Sequence, residues 1–302
     1  MTQVTRHITY TIRHDLHNLI VVKNEYVIVD NLVGNMRYLL PGEVSPPTSR
    51  TARKGITHGK SGRTGPAGRQ RPCRRLRLAC RRSHCRRHCS RRTRESLCLS
   101  YGERGESARA WRDGKSLEEI KDIRRGEAEA AASALGAEIE FFDAGDYPLL
   151  PSPELVDRLV HVYRDVNPTV VLTHPLIDPY NADHPAAARM ALDARILAQA
   201  IGYPAEGEPL GAPPVFFFEP HQPEQCDFKP NVLIDITDVF PQKRKAMESL
   251  VAQEHMWTYY TDLARRRGVQ VKRNAGPNLG FSTDTMGEAY VRYYPQVAEV
   301  LS

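Results

Sequence analysis

The chain has 302 residues, 41% hydrophobic and 26% charged, a balance that suits a soluble globular protein with a sizeable α/β core. No apolar run approaches the ~20 residues that cross a bilayer, and the opening MTQVTRHITYTIRHDLHNL lacks the apolar stretch of a secretory leader. A cytoplasmic protein without a membrane segment is expected. The net charge of +6 averages two unlike parts: residues 50–94 hold 17 Lys or Arg and no Asp or Glu, so 25 of the 42 basic residues face all 36 acidic ones elsewhere.

Residues 1–45 carry two apolar runs of strand length, at 19–22 and 26–33, with no chemistry in them. His14, Asp15 and His17 sit close together but read as solvated polar groups rather than a ligand set. Residues 46–96 are rich in Arg, Pro, Gly, Ser and Thr and show no hydrophobic period, so disorder is expected from the small apolar surface available to offset chain entropy. A basic block of this kind is one pattern of a nucleic-acid-binding arm. No aromatic residue is interleaved with the arginines to stack bases, which argues against that partner. Cys73, Cys80, Cys85, Cys89 and Cys98 lack the paired C-x2-C spacing of structural zinc modules.

From residue 97 the pattern changes. CLSYGERGES reads as a strand end and a glycine-bounded loop. SLEEIKDIRRGEAEAAASALG reads as a helix, with Ser116 and Glu119 forming a capping box and Gly136 as the stop. AEIEFFDAG is a strand and PELVDRLVHVYRDVN an amphipathic helix with Leu155, Leu159, Val162 and Val166 on one face. PTVVLTHP is a buried strand, and ADHPAAARMALDARILAQAIG opens a helix after a loop. PPVFFFEP and NVLIDIT are further strands, and residues 240–268 read as one long helix ended by Gly268. Strands alternating with helices predict a doubly wound, mostly parallel α/β sheet whose active site lies outside the carboxyl ends of its strands.

The most specific string is THPLIDPYNADHPAAARMALDA, residues 173–194, which puts His174, Asp178, Asp183 and His184 on a strand-to-helix loop. Imidazole beside carboxylate suits Zn2+ or a similar cation, with Asp178 or Asp183 as a group that orients the ligand; Asp183 as a helix cap is the plainer alternative. Glu103 and Glu106 flank the glycine of the YGERGES loop and are candidates for general acid–base work, as is His221 in EPHQPE. Arg104, Arg109, Arg112 and Arg124 cluster in and after the same loop, and guanidinium forks suit a polycarboxylate.

The D-H pair after a buried strand resembles the second metal motif of the PIG-L/LmbE zinc enzymes, with a Rossmann-like fold. That resemblance implies zinc as cofactor and His184 as a ligand. Deacetylases of this superfamily carry another His where this chain has Asn181, a departure that points away from amide hydrolysis. YGERGESARAWRDGKSLEEIKDIRRGEAEAAASALGA, FFDAGDYPLL and FFFEPHQPEQCDFKPNVLIDIT resemble the 4-oxalomesaconate hydratase branch, over roughly residues 97–302. The resemblance implies a lyase that hydrates a keto tricarboxylate in aromatic-acid degradation, with Glu103, Glu106 and His221 catalytic and Arg104, Arg109, Arg124 and Asn181 on substrate. It also implies assembly into a homo-oligomer. An N-acetylglucosaminyl deacetylase is the alternative enzyme, and nucleic-acid binding through the basic block the alternative outside catalysis.

Residues 1–96 do not match the family's opening His-x-x-Asp motif. Read one nucleotide downstream, Gln70 to Cys85 can encode SGHAADFVWRAGGAIA, which has that spacing; an upstream frame error would account for the missing motif, and the gene sequence across codons 45–100 tests it. The domain division expected is an aberrant segment at 1–96 and a catalytic domain at 97–302 without its first strand and helix. His184 alone holds zinc weakly, so little turnover is expected of the chain as it stands.

Overall fold

The computed structural model describes residues 18–23, 93–275 and 284–297. The expectations placed on residues 14–17, 26–33 and the Cys/Arg stretch lie outside them.

Among the described residues, seven strands form one sheet in the order β3-β2-β1-β4-β5-β7-β6. They are β1 (Asn18–Lys23), β2 (Thr93–Cys98), β3 (Glu138–Phe141), β4 (Val170–Thr173), β5 (Val215–Phe218), β6 (Val232–Asp235) and β7 (Gly287–Arg292). The first five pair in parallel; β7 runs antiparallel between β5 and β6. The helices are α1 (Ala108–Arg112), α2 (Leu117–Leu135), α3 (Pro153–Val166), α4 (Asp183–Gln199), α5 (Phe240–Glu248) and α6 (Met256–Asn274). This is the α/β, mostly parallel architecture expected from the alternation of elements.

The strands alternate between two cores, as period-2 side chains must when both faces of a sheet are covered. Leu97, Val171 and Phe217 pack with Leu159, Tyr163 and Met190 of α3 and α4. Cys98, Leu172 and Phe218 pack on the other face with Ala128, Ala246, Met247 and Tyr260 of α2, α5 and α6. Helix α2 starts and stops as read: Ser116 and Glu119 complete the capping box, and Gly136 takes the left-handed conformation at φ 67°.

Three features depart from the sequence reading. The run at 19–22, within the segment expected to be aberrant, supplies an interior strand of the sheet: β1 pairs with both β2 and β4. Strand β7 has no counterpart among the expected elements. The single helix expected over 240–268 is broken into α5, a 3-10 turn at Val251–Gln253, and α6, which runs through Gly268 to Asn274. Gly268 does not end the helix because its role is contact: a Cβ there would lie 1.6 Å from the Thr285 carbonyl oxygen. Its lack of a side chain lets α6 settle against the segment leading into β7.

Candidate active site

The carboxyl ends of β2, β4 and β5 carry the polar loops, as parallel sheets dispose them. After β4, a short loop folds on itself. The Asp178 carboxylate accepts the backbone N–H groups of Tyr180 and Asn181 through one oxygen, at 2.9 and 3.2 Å. Its other oxygen lies 2.7 Å from Nδ1 of His184. The Asn181 amide nitrogen lies 3.2 Å from Nε2 of the same ring. With Asp178 accepting from Nδ1–H, the Nε2 lone pair faces the Asn181 amide, an assignment made from the bonding pattern. Burial alone would raise the Asp178 carboxyl; the bond from His184 and the two backbone N–H groups hold it below the usual carboxylate range.

His174 lies flat against His184, ring centroids 4.0 Å apart and planes 10° from parallel, with Phe218 edge-on to its ring. Asp183 is buried and turned to other partners. Its two oxygens each accept a backbone N–H, from Tyr147 and Leu149, at 2.8 Å. Instead of capping α4 or backing the imidazole, it ties the loop after β3 to the head of that helix.

After β2, the loop is held from a distance. Asp146, fully buried, accepts the N–H groups of Arg104 and Gly105. Glu103 is buried under the loop with Oε2 accepting from Tyr101 N at 3.0 Å, and its carboxyl is raised by burial and by nearby Asp146, against its backbone bonds. Glu106 reaches the other way, into a cleft of ≈ 130 Å³ that it lines with Tyr147, His174, Asp178, Asn181, His184, Glu219, His221 and Tyr260.

After β5 come Glu219 and His221. Glu219 is buried and gripped by the Arg267 fork, one bond measuring 2.8 Å. The Nε2 atom of His221 is buried without a hydrogen-bond partner among the described residues. Burial holds this imidazole below its ordinary value, with Glu106 opposing.

The structure therefore brings together Glu106, Asn181, His184, Asp178 and His221 on one cleft, and leaves Glu103 behind the loop. The arginines do not line it. Arg104 hydrogen-bonds the Asp146 carbonyl at 2.8 Å. Arg109 is 74% exposed, 3.6 Å from Glu254, and Arg112 folds onto the Ala108 carbonyl. Arg124 is buried between the Tyr101 carbonyl and Glu127. Sequence reasoning missed Glu219, Gln253 and Tyr260. Glu219 follows β5 directly, so the rule that placed His221 could have found it; the other two come from helical turns with no local signal.

Among the described residues, no three His, Cys, Asp or Glu side chains come together to hold a metal ion. His184 is one imidazole, and its Nε2 faces an amide. The described residues do not make up a zinc site.

The family model for GlcNAc-PI de-N-acetylases, PIG-L, matches residues 78–195, starting upstream of the boundary read at 97. A protein of Pseudomonas putida KT2440 named 4-oxalmesaconate hydratase is 50% identical over 207 residues, 68% of this chain and 80% of that protein. The crystal structure of GalB, the 4-carboxy-2-hydroxymuconate hydratase of the same organism, superposes with a TM-score of 0.67 at 49% identity, covering 70% of this chain and 88% of that one. The N,N'-diacetylchitobiose deacetylase of Pyrococcus horikoshii, at 21% identity and a TM-score of 0.54 over 67% and 73% of the two chains, shares the fold. With half its residues identical across four-fifths of such a relative, the chain belongs to the PIG-L/LmbE superfamily, in its 4-oxalomesaconate hydratase branch.

Proposed function

We propose that this protein adds water to 4-oxalomesaconate, giving 4-carboxy-4-hydroxy-2-oxoadipate, in the cytoplasmic degradation of gallate-type aromatic acids. The observation that carries this reading is the 50% identity to a hydratase over 207 residues. Asn181, standing where deacetylases of the superfamily have histidine, supports hydration over amide hydrolysis.

Hydration is redox-neutral. A C–O bond forms at the fully substituted alkene carbon, which becomes C4 of the product, a C–H bond forms at its CH neighbour, and the π pair becomes the C–H pair. One proton must leave water and one must reach carbon, and a single group can do both. His221 suits that double role. Burial favours its neutral form, its Nε2 has no hydrogen-bond partner among the described residues, and the Glu106 charge favours the imidazolium formed when water gives up its proton. His221 then returns the proton to carbon. Asn181 lines the same cleft as a donor to substrate oxygens, His184 fixes the Asn181 amide as its acceptor, and Glu103 acts through the loop that carries Glu106.

Zinc is what the family resemblance implies, with His184 as the ligand and Asp178 orienting it. The described residues do not assemble a set for it, so no step is routed through a metal. Of the carboxylate partners expected from sequence, Arg104 and Arg124 bond backbone carbonyls and Arg109 faces Glu254 at the surface, so none of the three lines the cleft.

The test is an assay of the purified chain on the keto tricarboxylate, followed by loss of the conjugated chromophore and by NMR of the product. Slow hydration that His221→Gln abolishes is expected, below the rate of a relative with a full metal set. Release of acetate from an N-acetylglucosamine conjugate, with no hydration, overturns the reading.

A further inference from the structure

The 3-10 turn Val251–Gln253 is a small element between α5 and α6, and it reaches across to the loop after β2 by two separate routes. Its Ala252 N–H donates to Oε1 of Glu127 at 2.9 Å, and Oε2 of Glu127 takes Arg124 at 2.6 Å. Arg124 in turn donates to the Tyr101 carbonyl at 3.0 Å, and the Tyr101 N–H donates to Glu103. The second route is direct: the Gln253 amide donates to Oε2 of Glu106 at 3.1 Å, across 147 positions of sequence.

Gln253 is 6% exposed. Its amide does not simply satisfy a neighbouring backbone group; the acceptor is a carboxylate that lines the cleft. A flexible glutamate on a loop samples several rotamers. A neutral donor on one oxygen removes most of that freedom without cancelling the charge, and leaves the other oxygen for the cleft. Arg124 and Glu127 both lie on α2, so the Tyr101 carbonyl and the Ala252 N–H are tied to one helix, which sets the loop and the turn against the same support.

We propose that Gln253 is a positioning residue for the hydration, holding the Glu106 carboxylate toward the cleft from a turn that Arg124 and Glu127 lock to the same loop. The proposal rests on the reading that Glu106 supports proton transfer. It also gives Arg124 a function distinct from substrate binding.

Gln253→Leu removes the donor and keeps similar bulk. In the hydration assay kcat should fall about tenfold while KM stays within about twofold, the pattern of an interaction that matters in the transition state. Combined with Glu106→Gln, it should cost nothing further, since both changes break one unit. A full kcat in Gln253→Leu, or losses that multiply, overturns the positioning role while leaving the hydratase reading intact. Full turnover by Glu106→Gln instead removes Glu106 from the chemistry and the positioning role with it. A crystal structure of Gln253→Leu decides the geometry whatever the rate: the Glu106 side chain is expected to turn out of the cleft, and finding it in place overturns the proposal.

Discussion

The loop after β4 and the loop after β2 both leave the same edge of the sheet with carboxylates aimed near one cleft, but they are held in opposite ways. In the first, Asp178, Asn181 and His184 bond one another within a span of six residues. In the second, the partners are distant in sequence: Asp146, Arg124 and Gln253 come from 42, 23 and 147 positions away. A loop whose imidazole and carboxylate are fixed by near neighbours carries that part of its geometry in its own sequence. A loop satisfied by others has its shape set by the rest of the fold.

That contrast predicts which substitutions unfold the protein and which only slow it. Asp146→Ala leaves the N–H groups of Arg104 and Gly105 without their buried acceptor, and should cost about 3 kcal/mol in urea unfolding. A loss under about 1 kcal/mol would show that the β2 loop stands without its distant anchor. Asp178→Asn should do the reverse. It removes the charge that orients His184, lowering turnover roughly tenfold to a hundredfold with stability within about 1 kcal/mol. If it unfolds the protein instead, the β4 loop is not self-contained.

Glu103 gives a pH test of the β2 loop. Burial and Asp146 raise its carboxyl, with its backbone bonds and Lys121 opposing. A raised folded value means that its contribution is fully present below about pH 4.5, the ordinary glutamate value, and is lost as pH climbs through the raised one. Glu103→Gln removes that loss, so the variant's Tm relative to the parent should increase from about pH 4.5 to 7; a difference flat with pH would show that the carboxyl is not strained by burial. The smallest effect belongs to Arg109→Ala. Its partner Glu254 is 57% exposed at 3.6 Å, so stability should change by less than about 0.5 kcal/mol and KM should hold. A large rise in KM would return Arg109 to the substrate.

How far the sequence could be read follows the same division. The capping box of α2, the alternation of strands and helices, and the histidine–carboxylate loop at residues 174–184 are local patterns, set by bonds between near neighbours, and they stand in the structure as read. The arginines near residue 104 were harder to place, because a guanidinium that could take a substrate carboxylate can equally take a backbone carbonyl, as Arg104 and Arg124 do here. Gly268 misled for a related reason: helix-stopping is its common local meaning, while here the close approach of Thr285 decides its use.

By itself the sequence determined the α/β class, the strand-to-helix loop that carries His184 and the branch of the superfamily, since each rests on short-range pattern or on identity along the chain. Only the tertiary structure decided that β1 sits inside the sheet between β2 and β4, that Glu106 and not Glu103 meets the cleft, and that Gln253 and Glu219 stand beside it. Those outcomes depend on which surfaces pack together once chain entropy has been overcome. Contacts between residues far apart in the chain leave no period or spacing to read.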